Sequence, residues 1–302
     1  MTLLQEANET PRGHASRVPR FASVQFGYPS TMPARTAAAF HELHRSGCFV
    51  LPNPWDVGSA RALASLGFTA LATTSAGYAW AAGEPDHGVR LEPLLAHLRE
   101  IAASVDLPVT ADFENGLADD PAGVARHVTA AAATGIAGLS IEDAPGGPGA
   151  AVYGLSVALE RLRAARQAID ASGTDIVLTA RCETFLVGQP DLSVAIDRLT
   201  AYADAGADCL YAPGIRDLDQ IGELVRAVAP KPLNVLMVGD FASVAQLADR
   251  GVRRISVGGA LARTAWTGFL AAAREIAGSG TFHAFTQTVS HTELNTLFSR
   301  RG

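Results

Sequence analysis

One repeated unit constrains the fold of this chain more than any other feature of its sequence. In this unit, an Ala-rich helical stretch ends at a glycine. Four or five apolar residues follow, and small or polar residues come after them. The glycines of the four units are Gly67, Gly135, Gly206 and Gly251. Glycine adopts the left-handed backbone conformation that ends a helix and sends the chain into a strand. The unit therefore predicts helices that alternate with short buried strands.

Eight apolar segments fit strands once those with other lead-in sequences are added. They cover residues 48–51, 70–74, 109–112, 138–142, 176–181, 209–212, 233–238 and 254–257. Segments of helical period lie between them, among them residues 91–105, 121–134, 155–172 and 192–204. Eight strand–helix units predict an α/β fold, a (β/α)8 TIM-type barrel. The alternative is an open doubly wound sheet, but its usual Gly-rich phosphate turn is missing after the first strand, where residues 52–55 read Pro-Asn-Pro-Trp.

Segments outside the eight units set the predicted domain boundaries. Residues 34–44 predict an extra helix at the bottom or side of the barrel, and residues 290–298 predict a helix beyond the eighth unit. We expect the segment beyond residue 276 to pack on a neighbouring subunit. Residues 1–33 mix basic and acidic side chains and lack the apolar core of a secretory signal, so they predict a flexible extension before a single barrel domain over 34–302.

The overall charge and the cysteines limit the partners and the compartment. The chain has 302 residues, a net charge of −6 and no long basic run, which argues against nucleic acid or an anionic membrane and favours a small-molecule ligand. No run of eighteen apolar residues occurs, so we expect no membrane span. Cys48, Cys182 and Cys209 lie far apart in apolar runs, which predicts buried free thiols and a cytoplasmic location.

Acidic residues stand directly after two of the predicted strands. Asp112 and Glu114 follow one strand, and Glu142 and Asp143 follow the next. Carboxylates at the ends of neighbouring strands repel one another unless a cation lies between them. A simpler interpretation is that one acid caps a helix and another is solvated, but caps account for single acids rather than clusters. We expect Asp112 and Glu114 to point to the same side of an extended strand and, with Glu142, to share one hard cation, Mg²⁺ or Mn²⁺.

Further polar residues lie at the carboxyl ends of the predicted strands, where the active sites of such barrels form. Arg181 is there either a structural counter-ion of the carboxylates or a bidentate ligand of a substrate carboxylate. Other candidates at these strand ends are Asp86, Glu183 and Asn234. His87 and His127 have no metal-ligand spacing, which predicts ordinary surface or core residues.

Two segments rich in small residues are also candidates. Ser75, Ala76 and Gly77 predict a tight turn whose backbone N–H groups hold a developing oxyanion, although small residues also mark any tight turn. Residues 144–154 are Gly-rich and predict either a lid that excludes water or a plain loop, and Tyr153 is the only titratable side chain among them.

Four segments together resemble the isocitrate lyase and phosphoenolpyruvate mutase superfamily over about residues 34–298. They are Thr-Ser-Ala-Gly with Pro-Asp-His-Gly after the second strand, Asp-Phe-Glu-Asn-Gly after the third, Ile-Glu-Asp after the fourth and Ala-Arg-Cys-Glu-Thr-Phe on the fifth. The resemblance implies a barrel with a helix exchanged between subunits, usually in a tetramer. It also implies Mg²⁺ held directly by Asp112 and through water by Asp86, Glu114 and Glu142.

The resemblance implies substrate contacts as well. Ser75, Ala76 and Gly77 would bind a carboxylate or enolate oxygen, and Arg181 would bind an anionic group. Superfamily members break a bond beta to the carboxylate of a 2-oxo or 2-hydroxy acid that chelates Mg²⁺. The residues expected to bind substrate are thus Ser75, Ala76, Gly77, Arg181 and Asn234, and those expected to act in catalysis are Arg181, Glu183 and Tyr153.

Two departures from the superfamily pattern narrow the expected activity. Lyases of isocitrate and methylisocitrate carry a Lys-Lys-Cys-Gly-His type lid, but residues 144–154 contain no Cys, Lys or His. Phosphonate enzymes carry a His on strand six, where this chain has Ala212. These differences favour a Mg²⁺-dependent carbon–carbon lyase or decarboxylase for a small 2-oxo or 2-hydroxy dicarboxylic acid, acting through an enolate. The alternatives are a phosphonate-active enzyme and a non-catalytic 2-oxo acid binder.

Overall fold

Parallel strands and helices alternate along the described part of the chain, residues 36–147 and 149–299 of a computed structural model. The strands are β1 (Phe49–Leu51), β2 (Leu71–Ala72), β3 (Val109–Asp112), β4 (Gly138–Glu142), β5 (Val177–Arg181), β6 (Cys209–Tyr211), β7 (Leu233–Leu236) and β8 (Arg254–Ser256). The helices are α1 (Ala37–Leu43), α2 (Val57–Ser65), α3 (Ser75–Ala81), α4 (Leu91–Ser104), α5 (Pro121–Ala132), α6 (Leu155–Ser172), α7 (Leu192–Asp204), α8 (Leu218–Val228), α9 (Val244–Asp249), α10 (Ala260–Ser279) and α11 (His291–Ser299), with a 3-10 helix at His283–Gln287.

The eight strands form one parallel sheet that closes into a barrel. Their order is β1-β8-β7-β6-β5-β4-β3-β2. The N–H of Ala72 on β2 donates to the carbonyl of Pro52, just after β1, at 3.0 Å, and this bond joins the two ends of the sheet. The predicted α/β class and TIM-type barrel are therefore confirmed.

Polar side chains fix the starts of most of the helices that follow the strands. Each accepts a hydrogen bond from a backbone N–H two or three residues further on, which satisfies a donor that the helix leaves free. These caps are Asp56, Thr74, Asp120, Asp191, Asp217 and Ser243. The capping acids therefore serve the fold, and none of the four acids predicted to follow the third and fourth strands is among these caps.

Apolar side chains fill the N-terminal end of the barrel. Phe40 of α1 packs edge-on against Phe49 of β1, with 6.3 Å between the ring centroids, and both rings are buried. Leu51, Ala72 and Val177 belong to the same cluster. Because burial of such side chains is favourable by roughly 1.5–3 kcal/mol each, α1 is held across this end of the barrel as a plug.

A polar layer lies inside the barrel next to this plug. Arg254 of β8 is buried and donates to Oδ1 of Asn234 (2.8 Å) and to Oγ1 of Thr179 (3.0 Å). Thr179 lies two residues before Arg181 on β5, so both side chains face the barrel interior. The interior thus changes from apolar to polar towards the carboxyl ends of the strands.

The predicted element bounds agree with the structure to within a few residues. The bounds of β3, β4, α6 and α7 match the prediction, and α1 and α11 lie where helices were expected before and after the barrel. The expected turn at Ser75 is wrong, because Thr74 caps a helix that begins there. The predicted extension over residues 1–33 lies outside the described residues. Among those residues, no helix is both long and apolar enough to cross a membrane.

Candidate active site

Arg181 stands at the centre of the candidate site, at the carboxyl end of β5. Its three guanidinium nitrogens each contact a different carboxylate: Nη1 lies 2.7 Å from Asp112, Nη2 3.1 Å from Glu142, and Nε 2.9 Å from Glu183. Burial acts to lower the pKa of Arg181, but the charges of Glu183, Glu142 and Asp112 raise it well above its ordinary value. The guanidinium is therefore permanently charged and held in one orientation.

Both carboxylate oxygens of Asp112 are held by fixed groups. Oδ1 accepts from Arg181, and Oδ2 accepts from the backbone N–H (3.1 Å) and the hydroxyl (2.8 Å) of Ser75. The backbone N–H of Asp112 donates to Oγ1 of Thr73 at 3.0 Å. The adjacent ends of β2, β3 and β5 thus bring Asp112, Ser75 and Arg181 together.

Glu142 is a buried carboxylate in a site with excess negative charge. It is 4% exposed at the end of β4, and β4 pairs it with Arg181 in the sheet register. Burial, with the charges of Glu183 and Asp112, raises the pKa of Glu142 to about 8, although Arg181 acts in the opposite direction. Burial also raises the pKa of Glu183. One guanidinium faces three carboxylates, so a further cation would be favourable here.

Glu114 does not lie on β3. The strand ends at Asp112, and Glu114 follows in a turn with a left-handed φ of 48°. The expectation that both acids project from one extended strand is therefore wrong, because the backbone reverses between them. Glu114 is still buried, and its carbonyl accepts a hydrogen bond from the N–H of Glu142 at 3.0 Å.

A second acidic cluster forms around His87. Nδ1 of His87 lies 3.4 Å from Oε2 of Glu114, and Nε2 lies 3.9 Å from Oδ2 of Asp86. The hydrogen bond to Glu114, with the charges of Glu114 and Asp86, raises the pKa of His87 to about 9 against the effect of burial. One ligand atom from each of the three residues lies within 4.8 Å of the others. The expectation that His87 is an ordinary residue is therefore wrong.

The Gly-rich segment passes directly over His87. A Cβ atom on Gly146 would lie 2.5 Å from Nδ1 of His87, and Gly146 has a φ of +74° that favours glycine. His87 also has a left-handed φ, 63°. The segment therefore depends on the missing side chain of Gly146 for its approach to the His87 cluster.

Tyr153 anchors the end of the same segment. Its hydroxyl donates to Oδ1 of Asp119 at 2.8 Å and accepts from Nδ2 of Asn115 at 3.1 Å. The guanidinium of Arg161 lies over its ring, 4.4 Å from the centroid. The contacts of the Tyr153 hydroxyl are thus with the loop after β3, and its expected catalytic role stays a prediction.

Asp143 belongs to a structural network rather than to the carboxylates around Arg181. Its Oδ1 accepts from the N–H of Glu183 at 2.8 Å, and its Oδ2 accepts from Arg198 (2.8 Å) and from the hydroxyl of Tyr202 (2.6 Å). Because Asp143 is fully compensated, its contribution is to fix the backbone of Glu183.

Ala76 and Gly77 lie in the first turn of α3, behind Ser75. The N–H of Gly77 donates to the capping hydroxyl of Thr74 at 3.2 Å. A Cβ atom on Gly77 would lie 2.5 Å from Cγ2 of Thr74, so the glycine permits close packing at the helix start. The N–H of Ser75 reaches Asp112, whereas that of Gly77 is used by the helix cap.

A cavity of about 50 Å³ lies inside the barrel beneath Arg181 and Asp112. Polar side chains line much of it, including Asn234, Tyr211 and Ser256. Nδ2 of Asn234 donates to Oγ of Ser256 at 2.9 Å, and its Oδ1 accepts from Arg254. Asn234 therefore lies at the cavity with both ends of its amide engaged.

Two residues of this region escaped the sequence analysis. His87 follows Asp86 in the Pro-Asp-His-Gly segment, but the contact with Glu114 depends on two loops that sequence spacing does not relate. Tyr211 could have been found, because it pairs with Arg181 across β5 and β6 and so shares its inward direction.

The donor atoms around Arg181 and His87 fit a hard divalent cation. Five carboxylates, from Asp86, Asp112, Glu114, Glu142 and Glu183, lie in the two clusters. Burial is the largest cause of the raised pKa of Glu142, and the charges of Glu183 and Asp112 add to it. Oxygen ligands are those that Mg²⁺ and Mn²⁺ prefer. The chemistry of this donor set thus agrees with a metal-assisted reaction.

Comparisons with known proteins agree with this geometry. Residues 40–277 match the model of the phosphoenolpyruvate phosphomutase family. A solved structure from Burkholderia cenocepacia, provisionally named a lyase/mutase, is 48% identical, with a TM-score of 0.84, over 89% of this chain and 98% of that one. An uncharacterised protein of Mycobacterium tuberculosis is 35% identical over 73% of this chain and 81% of its own length.

Relatives with named activities are more distant. The structure of a 2,3-dimethylmalate lyase is 27% identical, with a TM-score of 0.78, over 89% of this chain and 95% of that one. Other relatives are named 2-methylisocitrate lyase, oxaloacetate decarboxylase and carboxyvinyl-carboxyphosphonate phosphorylmutase. The chain therefore belongs to the phosphoenolpyruvate phosphomutase family, and is an enzyme of the isocitrate lyase and phosphoenolpyruvate mutase superfamily of carbon–carbon lyases and mutases.

Proposed function

We propose that this enzyme is a Mg²⁺-dependent carbon–carbon lyase or decarboxylase that acts on a small 2-oxo or 2-hydroxy dicarboxylic acid through an enolate. The observation that carries the proposal is the excess of buried carboxylates around Arg181 at the carboxyl ends of β3, β4 and β5. Relatives named as a lyase of 2,3-dimethylmalate and as oxaloacetate decarboxylases support this class of substrate.

The metal ligands in this proposal are Asp112, Glu114, Glu142 and Asp86. When bound, the cation supplies Lewis-acid stabilisation of the negative charge that develops on the substrate oxygen. Mn²⁺ has the same ligand preference and could replace Mg²⁺. Glu142 would bind the cation in its ionised form, although its pKa is raised in the structure.

Arg181 binds a substrate carboxylate in this proposal, after its contact with Asp112 loosens. Ser75, Ala76 and Gly77 lie on the adjacent strand end and would hold an oxygen of the 2-oxo acid, and Asn234 would contact substrate from the cavity wall. Glu183 contacts Nε of Arg181 at 2.9 Å and would keep that guanidinium oriented during the reaction.

The Gly-rich segment acts as a lid in this proposal. It lies against His87, beside two of the proposed metal ligands, and closure there would exclude water from a reactive enolate. Tyr153 fixes the end of the lid by its bonds to Asp119 and Asn115. In this proposal, either Tyr153 or a water molecule delivers the proton.

A substrate panel tests the proposed reaction. Purified protein with Mg²⁺ would be given oxaloacetate, alkylmalates, methylisocitrate and phosphonopyruvate in turn, and pyruvate, glyoxylate and phosphate would be followed by NMR with an EDTA control. Metal-dependent release of a 2-oxo acid from a carbon substrate is expected. Phosphate release would favour a phosphonate-active enzyme. This is the second candidate function, because the matching family is that of phosphoenolpyruvate phosphomutase. Binding of a 2-oxo acid without formation of any product would indicate a non-catalytic binder.

Replacement of Asp112 tests the metal site. We expect Asp112→Asn to lower metal-dependent kcat by roughly 10³-fold or more, because the proposed direct metal ligand loses its charge. The fold should be retained, since the amide keeps an acceptor for Ser75. Asp219→Asn, on an exposed carboxylate of α8, is the matched control. Full activity of the Asp112→Asn protein would contradict the assignment.

We infer in addition that a second copy of the chain covers the C-terminal helices. Phe269 of α10 is 60% exposed and Phe282, which follows it, is 58% exposed. Phe285 packs against Phe282 with 5.9 Å between ring centroids, and Phe298 of α11 is also exposed. Exposed apolar surface of this kind on the C-terminal helices is typical of an interface, which supports a homodimer or a homotetramer with exchanged helices. The cytoplasmic location stays a prediction.

A further inference from the structure

Tyr211 has no place in the proposed mechanism, yet it lies in the wall of the cavity beneath the carboxylates. It ends β6, where it pairs with Arg181 of β5. The guanidinium of Arg181 lies over its ring, 5.2 Å from the centroid. Tyr211 and Asp112 line the same cavity. The phenol is therefore next to the proposed site on the side away from solvent.

Three side chains fix the surroundings of the Tyr211 hydroxyl. Nε of Arg254 donates to Oδ1 of Asn234 at 2.8 Å. An arginine has no acceptor, so the amide of Asn234 must present its oxygen to Arg254 and its nitrogen to Ser256, which accepts at 2.9 Å. Ser256 lines the same cavity as Tyr211, and its hydroxyl acts on the phenol.

The proton of Tyr211 is available to a ligand in the cavity. The hydroxyl oxygen of Ser256 accepts from Asn234 at 2.9 Å, and its own proton can be donated towards the phenol oxygen. Among the described residues, no backbone or side-chain acceptor takes the proton of Tyr211. Burial raises the pKa of Tyr211, against the opposing charge of Arg181, so the hydroxyl keeps its proton.

Two arginines, Arg181 and Arg254, line the cavity, and their counter-charges differ. Arg181 is surrounded by carboxylates, whereas the hydrogen bonds of Arg254 go to the neutral groups of Asn234, Thr179 and His44. In the described part of the chain, no carboxylate lies within ion-pair distance of Arg254. A buried cation without a counter-ion favours an anion in the adjoining space.

We propose that Tyr211 is a further substrate-binding residue, whose hydroxyl donates a hydrogen bond to a carboxylate or enolate oxygen of the bound 2-oxo acid. Arg254, Asn234 and Ser256 are positioning residues that keep this donor aimed at the cavity. The inference rests on the proposed function for the nature of the ligand. It adds a donor on the barrel side of the ligand, opposite the lid.

Anion binding measured by calorimetry tests the inference without any need for turnover. Oxalate is the probe, because its two carboxylates resemble the enolate of a 2-oxo acid, and it is titrated with Mg²⁺ present. We expect Tyr211→Phe to weaken oxalate binding by roughly 10- to 100-fold, the effect of losing one hydrogen bond to a charged group. Tyr78→Phe, which removes a hydroxyl bonded to the carbonyl of Pro93, should bind as the wild type does.

The outcomes separate this inference from the proposed function. Unchanged oxalate affinity in Tyr211→Phe would overturn the inference alone. A wild-type protein that binds neither oxalate nor pyruvate with Mg²⁺ would overturn both. Ser256→Ala keeps the phenol but removes the group that orients it, so a smaller loss of roughly 3- to 10-fold is expected. This variant also decides the question if Tyr211→Phe does not fold, and unchanged affinity in it would then overturn the inference.

Discussion

Arg181 forms ion pairs with the same carboxylates that would hold a metal. It contacts Asp112 and Glu142, both proposed ligands, and Glu183. The two interpretations of Arg181, a structural counter-ion and a substrate ligand, are therefore not exclusive. A cation that takes over Asp112 would free guanidinium donors for a substrate carboxylate, so we expect Mg²⁺ and the anionic substrate to bind with positive cooperativity.

The raised pKa of Glu142 predicts how stability depends on pH in EDTA. Below about pH 4.5, the ordinary pKa of a glutamate, Glu142 is protonated in both the folded and the unfolded states. Between about pH 4.5 and about pH 8, it is protonated only in the folded state. The free energy of unfolding should therefore fall as pH rises through this window. Glu142→Gln should flatten this slope and raise the melting temperature at pH 8 by several degrees.

Thermal melts from pH 5 to 8.5, with and without Mg²⁺, check this prediction. Glu183 also has a raised pKa, so some slope should remain in the variant. Mg²⁺ should stabilise the wild type most at high pH, where Glu142 is most easily ionised. A slope as steep in Glu142→Gln as in the wild type would mean that another group carries the effect.

Residues on strands were easier to predict than residues on loops. Asp112, Glu142 and Arg181 follow from strand ends and the alternation of side chains, because parallel neighbours in a barrel must meet at one rim. The position of Glu114 could not be predicted in this way, because its left-handed φ reverses the chain after β3. The contact of His87 with Glu114 depends on the relative placement of two loops, which no spacing in the sequence encodes.

At the scale of elements, the approach of the proposed lid to His87 depends on a single missing atom. Gly146 and Gly147 both have positive φ, 74° and 90°. A Cβ on Gly146 would meet His87 at 2.5 Å, whereas one on Gly147 would have no atom within 4 Å. A side chain at either glycine would therefore strain the backbone, but only one at Gly146 would also meet His87.

This difference gives a matched pair of variants. We expect Gly146→Ala to lower kcat by roughly 10- to 100-fold, because the lid can no longer rest on His87 and the site stays open to water. Gly147→Ala carries the cost of backbone strain alone and should keep most of the activity. Steady-state kinetics on the substrate found by the panel compare them. Equal losses in both variants would show that strain, rather than lid contact, matters.

The fold itself was predictable because eight similar units leave few ways to bury eight apolar strands. The bounds of β3, β4, α6 and α7 were predicted correctly. The start of α3 was not, because Gly77 disfavours a helix and Ser75 is common in turns, whereas the capping hydroxyl of Thr74 stabilises the helix start.

At the scale of the whole molecule, the exposed aromatic residues of the C-terminal helices predict an assembly. We expect Phe269→Glu with Phe282→Glu to shift the protein to a smaller species, because both side chains would become charged in a buried contact. Size-exclusion chromatography with light scattering measures the mass. Val194→Glu, on an exposed apolar residue of α7, is the control that should keep the wild-type mass. A wild type that is already monomeric would contradict the assembly.

The plug formed by Phe40 and Phe49 leaves the barrel with a single mouth. In the proposed reaction, substrate would enter and both fragments would depart past the Gly-rich segment. A fragment deep against Asp112 would escape only after the one nearer the mouth had gone. Release of products would then be sequential, and the last to leave would be the fragment that the carboxylate and arginine cluster holds most tightly.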